Sequence, residues 1–236
     1  MGSVAGWLWG IIHPLVLLAS WTFVFKICLH QTLPAGQPGN YPLYLFAGML
    51  PWLLFSETVQ RSSSSLLDHA SLITKTVFPA EMVPLSVFLS SLVSHLMALA
   101  LLIAAIEIWL RSFSPAVIVL PLYFLLLGML AVGIGWIVAA LQVYLRDTSQ
   151  VLTVILTFWF WLTPIFIFEN QFPSRLRVLL YANPLVYVVR AYRQVLLSTT
   201  MPGWTDVGLL AVYGLTAFFL GGLVFRHLKR GFADVL

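Results

Sequence analysis

The chain has 236 residues, of which 61% are hydrophobic and only 8% charged, and a formal net charge of +4. Soluble domains carry about 25% charged residues, and no soluble core of this length could bury so much apolar surface. A water-soluble globular protein is excluded, and lipid must cover part of the surface.

The charged residues serve as a ruler, because a spanning helix needs about 20 mostly apolar residues to cross roughly 30 Å of hydrocarbon. Met1–Phe25 carries no charge, and Ile27–Ser56 is divided by the turn signals Pro34, Gly36, Pro38, Gly39 and Asn40. The first two spans fall near residues 7–29 and 41–66. Uncharged stretches then place spans at 82–106, 117–141, 148–168 and 207–225. Between the second and third, residues 66–83 read as a short amphipathic helix capped by Ser65 or Asp68, running through Thr76 and broken by Pro79. It can dock a partner or lie on lipid.

Asn170–Gly203 is too long for a plain loop and carries Arg175, Arg177, Arg190 and Arg193. Two arginines held mid-membrane would cost about 2.5–3.5 kcal/mol each on insertion scales, so no seventh span is read. Two short helices fit instead. Ser174 caps one over 174–181, and Asn183-Pro184 starts another over 184–197. Arg190 and Arg193 then share a face, and the pair of helices dips into one membrane surface and returns. The expected fold is all-α: six transmembrane helices, plus two short re-entrant or interfacial helices between spans five and six. Lys/Arg totals balance on the two sides. The cluster Arg226, Lys229 and Arg230 places both termini in the cytoplasm. The first span begins almost at Met1 with no basic region, which argues against a cleaved signal peptide and for a shortened N-terminal segment.

No enzyme motif occurs. H-E-x-x-H, C-x-x-C, G-x-S-x-G and the G-x-x-x-x-G-K-[ST] phosphate loop are absent. No catalytic, cofactor-binding or metal-binding residue is assigned, and Asp68-His69 reads as a solvated loop pair. Glu57 and Arg61 lie four apart and can pair on one face of the second span, as can Glu107 and Arg111 at the end of the third. Both read as interfacial pairs near helix ends in preference to functional switches. Trp159, Phe160 and Trp161 form either an interfacial belt or a stacking surface for sugar rings along a conduit.

Several stretches together resemble the membrane subunit of type 2 ABC exporters, in the branch that exports polysaccharides such as O-antigen, capsule and teichoic acid. They are G-W-L-W-G-I-I-H-P-L (Gly6–Leu15), Y-L-F-A-G-M-L-P-W-L-L-F (Tyr44–Phe55), L-I-T-K-T-V-F-P-A-E-M-V-P-L (Leu72–Leu85), the Leu145-Arg146-Asp147 turn, L-T-P-I (Leu162–Ile165), and N-P-L (Asn183–Leu185) followed by Arg193. The resemblance implies a homodimer in the inner membrane, contacting membrane lipids, with a lipid-linked glycan as cargo and no nucleic acid. It also implies a separate cytoplasmic ABC ATPase dimer that holds ATP and magnesium, so this chain carries no cofactor. On that resemblance residues 68–78, with Asp68, His69, Lys75 and Phe78, form the coupling element. Arg146 and Asp147 lie near the ATPase, and helices 174–181 and 184–197 are external gate helices. The polymer would pass along Trp159, Phe160 and Trp161. Arg190 and Arg193 either snorkel to phospholipid headgroups or attract a pyrophosphate or acidic sugar near the exit. The family often has Asn-Pro where this chain has His13-Pro14, and a basic amphipathic helix before the first span. Rival expectations are export of a drug or small lipid by the same fold, a membrane-embedded transferase, and a scaffold without a conduit.

Overall fold

The computed structural model describes residues 6–33, 40–75, 78–111, 114–198 and 200–232; the side chains of residues 6–11, Thr74 and Lys75 lie outside the described set. Every regular element among them is helical: α1 (Gly6–Thr22), α2 (Tyr41–Asp68), α3 (Ala70–Lys75), α4 (Met82–Leu110), α5 (Leu120–Tyr144), α6 (Thr148–Leu162), α7 (Arg177–Tyr181), α8 (Pro184–Leu197) and α9 (Trp204–Leu228). A π-helical segment, Phe23–Cys28, continues α1, and short 3-10 turns lead into α5 and α7.

Four stretches are long and apolar enough to cross a membrane: Tyr41–Asp68, Met82–Leu110, Pro115–Tyr144 and Trp204–Gly231. Two shorter apolar stretches are Ile12–Cys28 and Thr148–Leu162. Helix starts are capped where the sequence offers a side chain. Asn40 accepts from the Leu43 amide, Ser114 from Ala116 and Asn183 from Leu185, each beside a proline in the first turn. These bonds satisfy amides that have no partner within the helix.

The axis of the bundle is α2. Leu45, Ala47, Met49, Leu50, Leu54, Phe55 and Val59 are buried, and the helix packs on α4, α5, α6 and α8. It continues through the serine run, where Ser63 and Ser65 return their hydroxyls to the carbonyls of Gln60 and Ser62 at 2.6 and 2.8 Å. Helices α5 and α9 pack backbone against backbone. A Cβ on Gly133 would meet the backbone of Ala217 and Phe218, one on Gly221 the backbone of Gly133, and one on Gly214 the carbonyl of Leu126. Small residues let two backbones approach without intervening side chains. The outer face of α9 presents Val212, Phe219 and Leu223, apolar side chains that water would not tolerate as one continuous patch.

The fifth apolar stretch is helical only to Leu162; Thr163–Phe168 is non-helical, because Pro164 has no amide to continue the ladder. The helix from Pro184 is buried along most of its length, from Leu185 to Leu197, against α2 and α9. One expectation changes. Asp68 caps no separate helix: it is the last residue of α2, its carboxylate accepts from Ser64 at 3.0 Å, and the break falls at His69. The expected end of that helix, Thr76, lies outside the described residues.

Candidate functional site

An open groove of about 870 Å³ lies between α1, α2, α4 and α6. Its two ends differ. One end is aromatic. Phe160 on α6 lies 5.4 Å, ring centre to ring centre, from both Trp21 on α1 and Trp52 on α2. The other end is polar, walled by His13, Glu57, Gln60, Arg61, three serines of α4 (Ser90, Ser91, Ser94) and Thr153. Helix periodicity accounts for the wall: Glu57 and Arg61 follow at i, i+4 on α2, and Ser90 and Ser94 at the same spacing on α4.

Glu57 and Arg61 form an ion pair of 2.8 Å through Arg61 Nη1, which also donates to Ser91 Oγ at 3.4 Å. Because α2 continues to Asp68, the pair sits well inside the helix, not at its end. Gln60 accepts from Thr153 Oγ1 at 3.2 Å and links the polar wall to α6. The parallel expectation for Glu107 and Arg111 is not met: among the described residues no ion pair joins them, and Arg111 turns into the left-handed region (φ 49°) as the α4 C-cap.

Of the expected aromatic trio, Phe160 lines the groove. Trp159 packs edge-on against Phe55 and donates its indole N–H to Asn183 Oδ1 at 2.8 Å. Trp161 is half exposed and packs on Phe160 and Phe166, with ring centres 5.4 and 5.7 Å away.

The two arginines expected to attract anionic groups are engaged by the protein itself. Arg190 is held by two carboxylates: Glu169, through Nε and Nη2 at 3.1 and 2.6 Å, and Asp206, through Nη1 at 2.9 and 3.1 Å. Arg193 donates to the carbonyls of Pro164 and Ile165, both at 2.7 Å, and its head lies over the Tyr44 ring. A Cβ on Gly48 would come within 2.6 Å of its Nη2. Asn183 adds a third tie, donating from Nδ2 to Thr163 Oγ1 at 3.1 Å. The L-T-P-I and N-P-L stretches, far apart in sequence, are thus one unit in which α8 holds the non-helical segment after α6.

At the opposite end of α2, the residues that follow it and the α5–α6 turn come to the same end of the bundle. Asp68, His69 and Phe78 are exposed, as are Arg146 and Asp147; the Lys75 side chain lies outside the described residues. Asp68 and His69 do not bond each other: His69 Nδ1 is 2.9 Å from the Ser65 carbonyl. The α5–α6 turn is stapled by buried Gln142, which donates to Arg146 O and accepts from Ser149 N, each at 2.7 Å. Beneath the loop, Leu66, Ala80, Val83, Ala139, Val143, Phe225 and Phe232 form a second apolar cluster, with Ile73 of α3 packed on it. Glu81 fastens this base. Its carboxylate accepts from Lys229 Nζ at 2.8 and 2.9 Å, and its carbonyl accepts from Trp136 Nε1 at 3.0 Å. Partial burial raises the Glu81 carboxyl, but the hydrogen bond from Lys229 and the backbone more than offset this and leave it below the ordinary value. No group of three metal-binding side chains occurs among the described residues.

Residues 2–197 match the family described as ABC-2 type transporter. The chain belongs to that family. This ABC-2 type transporter is 26% identical to the O-antigen export system permease protein RfbA of Myxococcus xanthus over 235 residues, covering 99% of this chain and 88% of that protein. The similarity to the permease of the same name from Klebsiella pneumoniae is also 26%, with the same coverage. The polysialic acid transport protein KpsM of Escherichia coli is 26% identical over 229 residues, 94% of this chain and 85% of that one. Family membership and the long apolar helices make the chain an integral membrane transport subunit.

Sequence reasoning did not find Glu81–Lys229, Asp206 as a partner of Arg190, or Gln142 as the staple of the turn. Only Gln142 had a local signal, four residues before Arg146 and seven before Ser149. The other pairs join residues far apart in the chain.

Proposed function

We propose that this chain is the membrane subunit of an ATP-driven exporter that moves a lipid-linked polysaccharide across the inner membrane. The observation that carries the reading is the match to the ABC-2 family over residues 2–197, with relatives that are permeases for O-antigen and polysialic acid. The groove supports it. A charged pair facing hydrocarbon is expensive, whereas one facing a watery path is not, and a wall of hydroxyls ending in clustered aromatics suits sugar rings better than an apolar drug.

The chain crosses the membrane six times in this reading. α1 with its π-helical continuation makes the first crossing. α6 rises about 22 Å at 1.5 Å per residue, and the non-helical segment after Leu162 completes the fifth. α8 is a buried helix behind that segment. α7, whose Val178, Leu179 and Tyr181 are exposed, lies in the outer interface. Both termini are cytoplasmic. Two copies face each other across their grooves, and the polymer passes between them. Arg190 and Arg193 hold the outer gate in place and do not touch cargo.

The chain carries no ATPase motif, so the driving reaction belongs to a partner. An ABC ATPase dimer, holding ATP and magnesium, docks on Asp68, His69, Lys75 and Phe78 with Arg146 and Asp147 beside them. Its closure moves α3. Through Glu81 and the apolar base, that movement reaches α4, α5 and α9 together.

Affinity purification of the tagged protein from its own membranes tests this reading. An ABC-type ATP-binding protein is expected in stoichiometric amount, lost when Asp68 and Phe78 are both replaced by Ala. Purification without any ATP-binding protein would overturn it.

A further inference from the structure

We propose that Arg61 is an oxyanion-recognising residue of the groove, held ready by Glu57 and Ser91 for a phosphate or carboxylate carried by the cargo. The inference rests on the transport reading above and adds to it a chemical requirement on what enters.

Three arginines stand out in the bundle by their engagement. Arg190 has both edges of its guanidinium filled by Glu169 and Asp206. Arg193 is filled by carbonyls and by the Tyr44 ring. Arg61 differs. Its contact with Glu57 is through one oxygen and one nitrogen, and that same Nη1 reaches Ser91. Among the described residues, Nε and Nη2 have no acceptor, and the side chain is 48% exposed. The open edge belongs to a residue lining the groove, and a planar guanidinium edge fits a phosphate or carboxylate through two parallel bonds.

The surroundings suit the same ligand. The hydroxyls of Ser90 and Ser94 line the groove and have no protein partner among the described residues. They can supply further bonds to phosphate or sugar oxygens. Glu57 keeps the guanidinium neutralised when the groove is empty and competes with an arriving anion for it. One sign follows that a purely structural ion pair would not give: removing the Glu57 charge strengthens anion binding.

Two sources offer this chemistry, the diphosphate that joins a saccharide to its lipid and the carboxylate of an acidic sugar. The full-length protein in phosphatidylcholine nanodiscs is titrated with farnesyl diphosphate, with a trimer of N-acetylneuraminic acid, and with farnesol as the uncharged control. At least one of the two anions binds, and the one that does identifies the source. Arg61→Gln weakens that anion by about tenfold or more, as expected for loss of a charge-assisted contact, and leaves farnesol unchanged. Glu57→Gln tightens it. The double variant E57Q/R61Q, neutral like the native pair, loses binding as R61Q does, which separates recognition from folding. Failure of both anions to bind, equal binding by R61Q, weaker binding by E57Q, or complete displacement by phosphatidylglycerol in the disc would each overturn the proposal. If deleting the gene abolishes polysaccharide export while R61Q binds normally, only this inference falls. If deletion leaves export intact, the transport reading itself falls.

Discussion

The guanidinium carbon of Arg193 lies 3.6 Å from the centre of the Tyr44 ring, while the same head group donates to the carbonyls of Pro164 and Ile165. One side chain thus joins α8, α2 and the non-helical segment after α6. A lysine has neither the planar face nor the fork. Arg193→Lys should lower the thermal midpoint of the purified protein, and Arg193→Ala should cost about 3 kcal/mol, in the range found when one partner of a buried charged contact is removed. Gly48→Ala should disturb the same site. Normal stability in all three variants would remove Arg193 from this role.

Arg190 gives a prediction with a built-in rescue. Arg190→Gln leaves Glu169 and Asp206 with two uncompensated negative charges and should cost about 2–4 kcal/mol. Adding Glu169→Gln and Asp206→Asn should recover part of that loss. A double-mutant cycle read by thermal unfolding checks it, since residues in one network give non-additive changes. Strict additivity would show that the three residues do not act together.

The α5–α9 seam should not tolerate a methyl group. Gly133→Ala and Gly221→Ala drive a Cβ into opposing backbone and should each cost about 1–3 kcal/mol or more, seen as reduced yield and a lower aggregation temperature. Gly208→Ala is the control on the same helix, because its Cβ would meet nothing within 4 Å. It should be neutral.

The Glu81–Lys229 pair predicts an acid-sensitive contribution. The folded carboxyl lies below its ordinary value, so its stabilisation is fully present above the unfolded value and is lost as pH falls through the depressed one. The pair is more than a third exposed, which limits its worth to roughly 0.2–1 kcal/mol. Thermal midpoints of the native protein and Lys229→Met, compared at pH 7 and below pH 4, should differ at neutral pH and converge in acid. A gap that persists in acid would assign the effect to packing.

The helices were legible because apolar length and the positions of Asn40, Ser114 and Asn183 are local signals. Pro164 ended α6 earlier than charge spacing suggested, since charge spacing marks where lipid must stop and not where a helix does. The burial of α8 was hidden for another reason. Arg190 and Arg193 look costly to bury until Glu169, Asp206, Tyr44 and two carbonyls are brought to them, and those partners are remote in sequence. The groove was half legible. Its serines and its Glu57–Arg61 spacing could be read off the chain, but which aromatic faced it could not, because Trp159, Phe160 and Trp161 are adjacent on one helix and point in different directions.

The central claim is that this chain carries polysaccharide across a membrane, and the most direct measurement is the distribution of that polymer in cells lacking the gene. Surface polysaccharide should disappear, polymer should accumulate inside, and both should be restored by the native gene. Unchanged surface polysaccharide, with no internal accumulation, would contradict the account.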